Sequence, residues 1–254
     1  MQKAFSLVEL SIVLVILGLL TGGILAGQSL IRASELRSVG YDIARYSTAI
    51  YSFREKYRSI PGDMANATSF WAAQHATPGT CRDTPSTTAA TCNGDGDGRV
   101  EIISAGSYEM LRAWQHLANA GLVEGSYTGV GGALDITKDS IPGQNVPKGK
   151  MSNSGYYILD FWNTTGAYSS SLFAYDLRSI IGFGARSPGF EPSGDILSAS
   201  EAWGIDTKLD DGIPSRGRIL SNVACSDAAN NLDYDAVYKL TTSGNICAIM
   251  MRDI

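Results

Sequence analysis

From Leu10 to Ile31 the chain carries no charged side chain for 22 residues, and the residue directly before that run is a glutamate, Glu9. As a helix rising 1.5 Å per residue the run would be roughly 33 Å long, enough to cross a bilayer. A carboxylate at the mouth of such a run is costly and marks a function with a specific partner. Two ordinary roles compete. A secretory signal would use Lys3 as its basic region and be cut after Ala26, behind Ile24-Leu25-Ala26. An acidic residue at the front of its apolar core fits that poorly. A plain signal anchor leaves Glu9 as an unexplained cost.

The rest of the chain has the make-up of a folded protein. Its 254 residues suffice for one or two domains, with 44 % hydrophobic and 18 % charged residues. The net charge of −5 argues against a nucleic-acid surface, which leaves a basic footprint. Four cysteines, Cys81, Cys92, Cys225 and Cys247, form an even set without a CxxC pair, and the two histidines, His75 and His116, show no ligand-like spacing. That spacing speaks against zinc and for two disulfides, hence an oxidising compartment. Four buried thiols in a cytosolic protein are the alternative.

Met-Gln-Lys-Ala, then Phe5-Ser-Leu-Val-Glu9, then the uncharged run resembles the leader and mature start of type IV prepilins and type II secretion pseudopilins. The resemblance implies cleavage between Ala4 and Phe5 by a membrane aspartic peptidase, which also methylates the new Phe5 amine. Ala4 stands where the family usually has Gly. Glu9 then falls at the fifth mature position. In a filament core away from water its carboxylate would pair with the Phe5 amine of a neighbouring subunit and set the axial register. The implied partners are other pilin subunits, the prepilin peptidase/methylase, the assembly platform and the inner membrane. The implied location is the bacterial inner membrane with the head in the periplasm, then a pilus or periplasmic filament. Gly18, Gly22, Gly23 and Gly27 permit close helix packing or local unwinding when the helix leaves the bilayer, or are ordinary glycines of a membrane helix.

Beyond the run, Leu36, Val39, Ile43, Tyr46, Ile50, Phe53 and Tyr57 recur in steps of three and four, one apolar stripe on an amphipathic helix. Pro61-Gly62 ends it. The expected organisation is a leader over 1–4, a transmembrane or filament-core helix over 5–31, and the amphipathic helix with its head over 32–254. The expected fold is α+β: a long N-terminal helix packed on an antiparallel β-sheet. A short helix is expected around Phe70 and Trp71. Another is expected from Glu109 to Ala120, with Met110, Leu111, Trp114 and Leu117 on one side and Gly121 as its cap. Ser198-Ala-Ser-Glu201 matches a capping box. Strands are expected at 156–162, 172–177, 218–223, 236–240 and 246–251.

Two acidic segments are candidate cation sites. Asn93, Asp95, Asp97 and Gly98, with the Arg99 carbonyl, match the first positions of a calcium loop. Ser104 stands where the bidentate Glu belongs, Glu101 is a possible substitute, and a Gly/Asp turn is the other reading. Asp206, Asp210 and Asp211 form a second, weaker set near a helix C-terminus, where a cation, Lys208 or turn amides must offset the charge. Calcium is the one cofactor these segments suggest, and turns that hold no cation are the other reading of both. Of three cysteine connectivities, sequence proximity favours Cys81–Cys92 and Cys225–Cys247; the second resembles the disulfide-bounded variable region of many pilins.

No nucleophile–base pair, phosphate loop or metal cluster points to an enzyme. The readings that remain are a subunit of a type IV pilus, of a minor or specialised kind given the long head, a pseudopilin of type II secretion, and a membrane-tethered periplasmic binding protein.

Overall fold

The computed structural model describes residues 7–104, 107–162 and 171–252. One helix, α1 (Leu7–Tyr57), runs for 51 residues, roughly 76 Å. Every residue from Leu7 to Ala26 is exposed, and burial on this helix begins at Ser38. From there Val39, Ile43, Tyr46, Ile50 and Phe53 of the predicted stripe are buried, while Leu36 and Tyr57 pack partly against the same core.

Four further α-helices follow among the described residues: α2 (Thr68–Trp71), α3 (Pro78–Asp83), α4 (Glu109–Asn119) and α5 (Ala199–Leu209). The sheet comprises β1 (Ser154–Trp162), β2 (Asp176–Ala185), β3 (Ile219–Ser221) and β4 (Ile249–Met251), antiparallel in the order β1-β2-β4-β3. Tyr46 links three elements, edge-on to Trp114 of α4 at 4.9 Å and to Tyr156 of β1 at 5.1 Å. Such pairs add about 0.5–1.5 kcal/mol each to the burial of the rings. The layout is α+β, a long apolar helix whose second half is built into a head with a four-stranded antiparallel sheet.

The strand expected at 172–177 lies instead at Asp176–Ala185. Two glycines hid it: glycine weakens a strand pattern, but here it is needed. A Cβ at Gly182 would fall inside the ring of Tyr157, which crosses the backbone from β1. Residues 236–240 form no strand; Tyr238 makes a single bridge with Ser226. The strands at 218–223 and 246–251 shrink to three residues each.

Candidate functional site

The feature that bears most directly on function is the N-terminal half of α1. Glu9 lies in its first turn and is exposed, with the uncharged residues continuing behind it without a break into the head. This is the one helix among the described residues long and apolar enough to cross a membrane. Ala4 and Phe5, where processing is expected, lie outside the described residues. Arg32, the first charged residue after the run, ties α1 to the head. Its Nε donates to Glu201 Oε1 at 2.6 Å, and its Nη2 donates to Glu201 Oε2 at 2.8 Å and to the Ile196 carbonyl at 3.0 Å. Glu201 is also the acidic partner in the capping box with Ser198, so one carboxylate starts α5 and holds it to α1.

The first acidic loop is organised by residues outside it. Asp95 and Asp97 stand with Asp63, their carboxylate oxygens within 4.8 Å of one another. Asp63 comes from the turn after α1 and was not among the predicted cation ligands; Asp-Met after Pro61-Gly62 was the available signal. Asn93 is turned away, its Oδ1 accepting from the Thr68 N–H at 2.9 Å. Asp63 accepts from the N–H groups of Gly96 (2.7 Å) and Gly98 (3.0 Å). Asp95 accepts from Asp97 N–H, and Asp97 from Arg99 N–H. Glu101 keeps its side chain near this group while its N–H donates to buried Glu109. Burial pushes the Asp63 carboxyl up to about 6, against the two glycine N–H groups, with the charges of Asp97 and Asp95 adding to the rise. The turn therefore satisfies itself with backbone amides. Oxygens that accept no amide, such as the second oxygens of Asp95 and Asp97, are those a hard cation would take.

At the second acidic segment, amides and a hydroxyl offset the charge. Asp206 accepts from Gly212 N–H at 3.1 Å and from the Tyr238 hydroxyl at 2.7 Å. Asp210 accepts from Arg218 and Ile219 N–H, and Asp211 from Ile213 N–H. Burial lifts the Asp206 carboxyl to about 6.

Sequence reasoning missed the polar side of α4. Glu109, Arg112, Gln115 and His116 are all buried, as are the apolar residues of the other side. Arg112 donates to the carbonyls of Cys81 and Thr84 (3.1 Å each), and Gln115 to that of Ala90 (3.0 Å). His116 Nδ1 accepts from Gly62 N–H at 3.0 Å, so Nε2 carries the proton toward Thr91 Oγ1, also at 3.0 Å. Polar residues at 109, 112, 116 and 119 share one helix face, and that periodicity was visible. Arg112, Gln115, His116 and Asn119 hold the loop closed by Cys81–Cys92, and Glu109 accepts from the N–H groups of Asp95 and Glu101 beyond it, while the other disulfide joins Cys225 to Cys247.

A family model described as the prokaryotic N-terminal methylation motif matches residues 1–25. Comparisons with curated proteins and with solved structures gave no match. The motif heads a helix of membrane-crossing length that runs unbroken into a disulfide-bonded α+β head. That motif and the membrane-length helix behind it support a type IV pilin-like or pseudopilin protein.

Proposed function

We propose that the protein is a structural subunit of a type IV pilus-like filament, of a minor or specialised kind, and not an enzyme. The observation that carries this reading is the methylation motif at the head of a helix whose apolar half is fully exposed and whose other half is the spine of the head. An exposed uncharged helix needs lipid before assembly and other subunits afterwards. In this reading prepilin peptidase cuts between Ala4 and Phe5 and methylates Phe5, and the inner-membrane platform lifts the subunit into the filament. Glu9 then receives the Phe5 amine of a neighbour. Type II secretion pseudopilins share the motif, and the neighbouring genes separate the two, a retraction motor against an outer-membrane secretion set.

Intact mass of membrane-extracted protein tests the reading. Loss of Met1 to Ala4 with gain of one methyl group is expected; an N-terminus at Gly27 would sink it. Glu9→Ala should leave cleavage intact and keep the subunit in the membrane. A buried charge left without its partner costs roughly 3–5 kcal/mol per contact. Normal entry of that variant into sheared filaments would refute the role of Glu9.

A further inference from the structure

Helices α1 and α5 lie side by side and run in the same direction. Arg32 meets Glu201 near the start of α5, and eight residues further along each helix Gly40 faces Leu209. Between them lies a groove of about 360 Å³, lined by Leu36, Gly40, Tyr41, Gly204 and Leu209 among others. Tyr41 is 69 % and Leu209 40 % exposed, although both contribute apolar surface. Gly40 and Gly204 contribute no side chain, and a Cβ at Gly204 would meet nothing within 4 Å. Arg37 and Lys208 border the groove and form no ion pair among the described residues.

Two parallel helices with a cleft between them accept a third at an axis separation of about 8–10 Å. Glycines in the cleft allow the closer approach that helices without polar side chains use. The chain itself contains a helix of matching chemistry, the uncharged run from Leu10 to Ile31, which nothing in the head covers. The groove begins on the same helix five residues beyond that run. A parallel neighbour shifted along the axis therefore brings its own run alongside the groove. The centres of run and groove are about 18 residues apart, a shift of roughly 27 Å. The Phe5-to-Glu9 pairing needs only roughly 6 Å, so it involves a different neighbour. Arg37 and Lys208 can lay their stems along the incoming helix and keep their charges in water.

We propose that the groove between α1 and α5 seats the uncharged N-terminal helix of another subunit of the filament. The inference rests on the filament reading and adds a second contact to it, made by the head. Photo-crosslinking tests it, with benzoylphenylalanine in place of Lys208 in the full-length chain and the adduct mapped by mass spectrometry in sheared filaments. An adduct within the uncharged helix of a second copy, or of another subunit bearing the motif, is expected; an adduct only to lipid or to head peptides overturns the proposal. Gly204→Leu fills the groove and favours the helix, so folding and processing should be unchanged. Its incorporation should fall on the order of tenfold, the effect of about 1.4 kcal/mol, with Gly204→Ala within roughly twofold. Gly204→Leu at the wild-type level in filaments refutes the seat while leaving the filament reading intact. Wild-type protein that never leaves the membrane for a filament refutes both.

Discussion

Lowering the pH should remove the stability that neutral His116 contributes to the head. Burial holds this imidazole at about 3, far below its ordinary value of 6.5, with the nearby Arg112 charge acting in the same direction. In the unfolded chain it takes up a proton near 6.5, so from there downward the unfolded state binds more protons than the folded one. Stability is therefore lost as pH falls from about 6.5 toward 3. At 1.36 kcal/mol per unit, the loss from this residue alone is about 2 kcal/mol by pH 5 and about 4–5 kcal/mol near pH 3. Glu109 and Asp63 work against it. Burial raises them to about 7 and about 6, so each contributes stability that is present at low pH and lost as pH rises through those values. The His116 share is isolated by comparing wild type with His116→Asn, whose amide oxygen can still accept from Gly62 N–H. Urea unfolding of the detergent-solubilised chain at pH 7.5 and pH 5, followed by the fluorescence of buried Trp114, measures the difference. The gap between the two proteins should narrow by about 2 kcal/mol at pH 5. An unchanged gap would show that His116 is protonated in the fold or reaches water, and the tautomer assigned from Gly62 and Thr91 would be wrong.

Calcium, titrated calorimetrically into the chelator-treated protein, should bind through Asp63, Asp95 and Asp97. Asp63→Asn should abolish the heat and Asn93→Ala should spare it; a signal that survives Asp95→Ala/Asp97→Ala moves the site to Asp206 and Asp210, and no signal leaves both as turns. Gly182→Ala should cost about 1–3 kcal/mol in the same urea assay, because the new methyl group collides with the Tyr157 ring. A cost under roughly 0.5 kcal/mol would mean that the ring yields and the glycine is not required.

The helix was legible because its signals are local and repeated: an uncharged run, then a stripe in steps of three and four, then Pro61-Gly62. The capping box was legible for the same reason, since Ser198 and Glu201 need only each other. What failed were features set by distant partners. β2 was expected at 172–177 and lies at Asp176–Ala185, where Gly182 and Gly184 weaken the strand pattern although Gly182 makes room for the Tyr157 ring. Asp63 joins the acidic loop because the turn after α1 packs against Gly96 and Gly98, which are 33 and 35 positions along the chain. The burial of the polar face of α4 was not legible, since the cysteine loop that it holds lies upstream and has no regular structure beyond α3. The strands expected at 218–223 and 246–251 were legible in place, and only their reduction to three residues each, paired as β3 and β4, was not.

The placement of Arg32 shows how an axial pull on the apolar helix would reach the head. Glu201 grips Arg32 with both oxygens while it caps α5, and the Arg32 guanidinium also holds the Ile196 carbonyl. Ile196 and Leu197 in turn donate to the Cys247 carbonyl, and Cys247 N–H returns a bond to Leu197. Cys247 is fixed covalently to Cys225 and leads two residues later into β4, which pairs with β2 and β3. Tension at the end of the membrane-length run thus passes through a bidentate ion pair into a disulfide and an antiparallel sheet. The second half of α1 takes a parallel route through Tyr46 into α4 and β1. A protein that only tethers a binding domain needs neither route, because a flexible linker keeps it at the membrane equally well. A subunit that must transmit force from a filament core needs both, and that is the mechanical argument for reading this chain as a filament subunit.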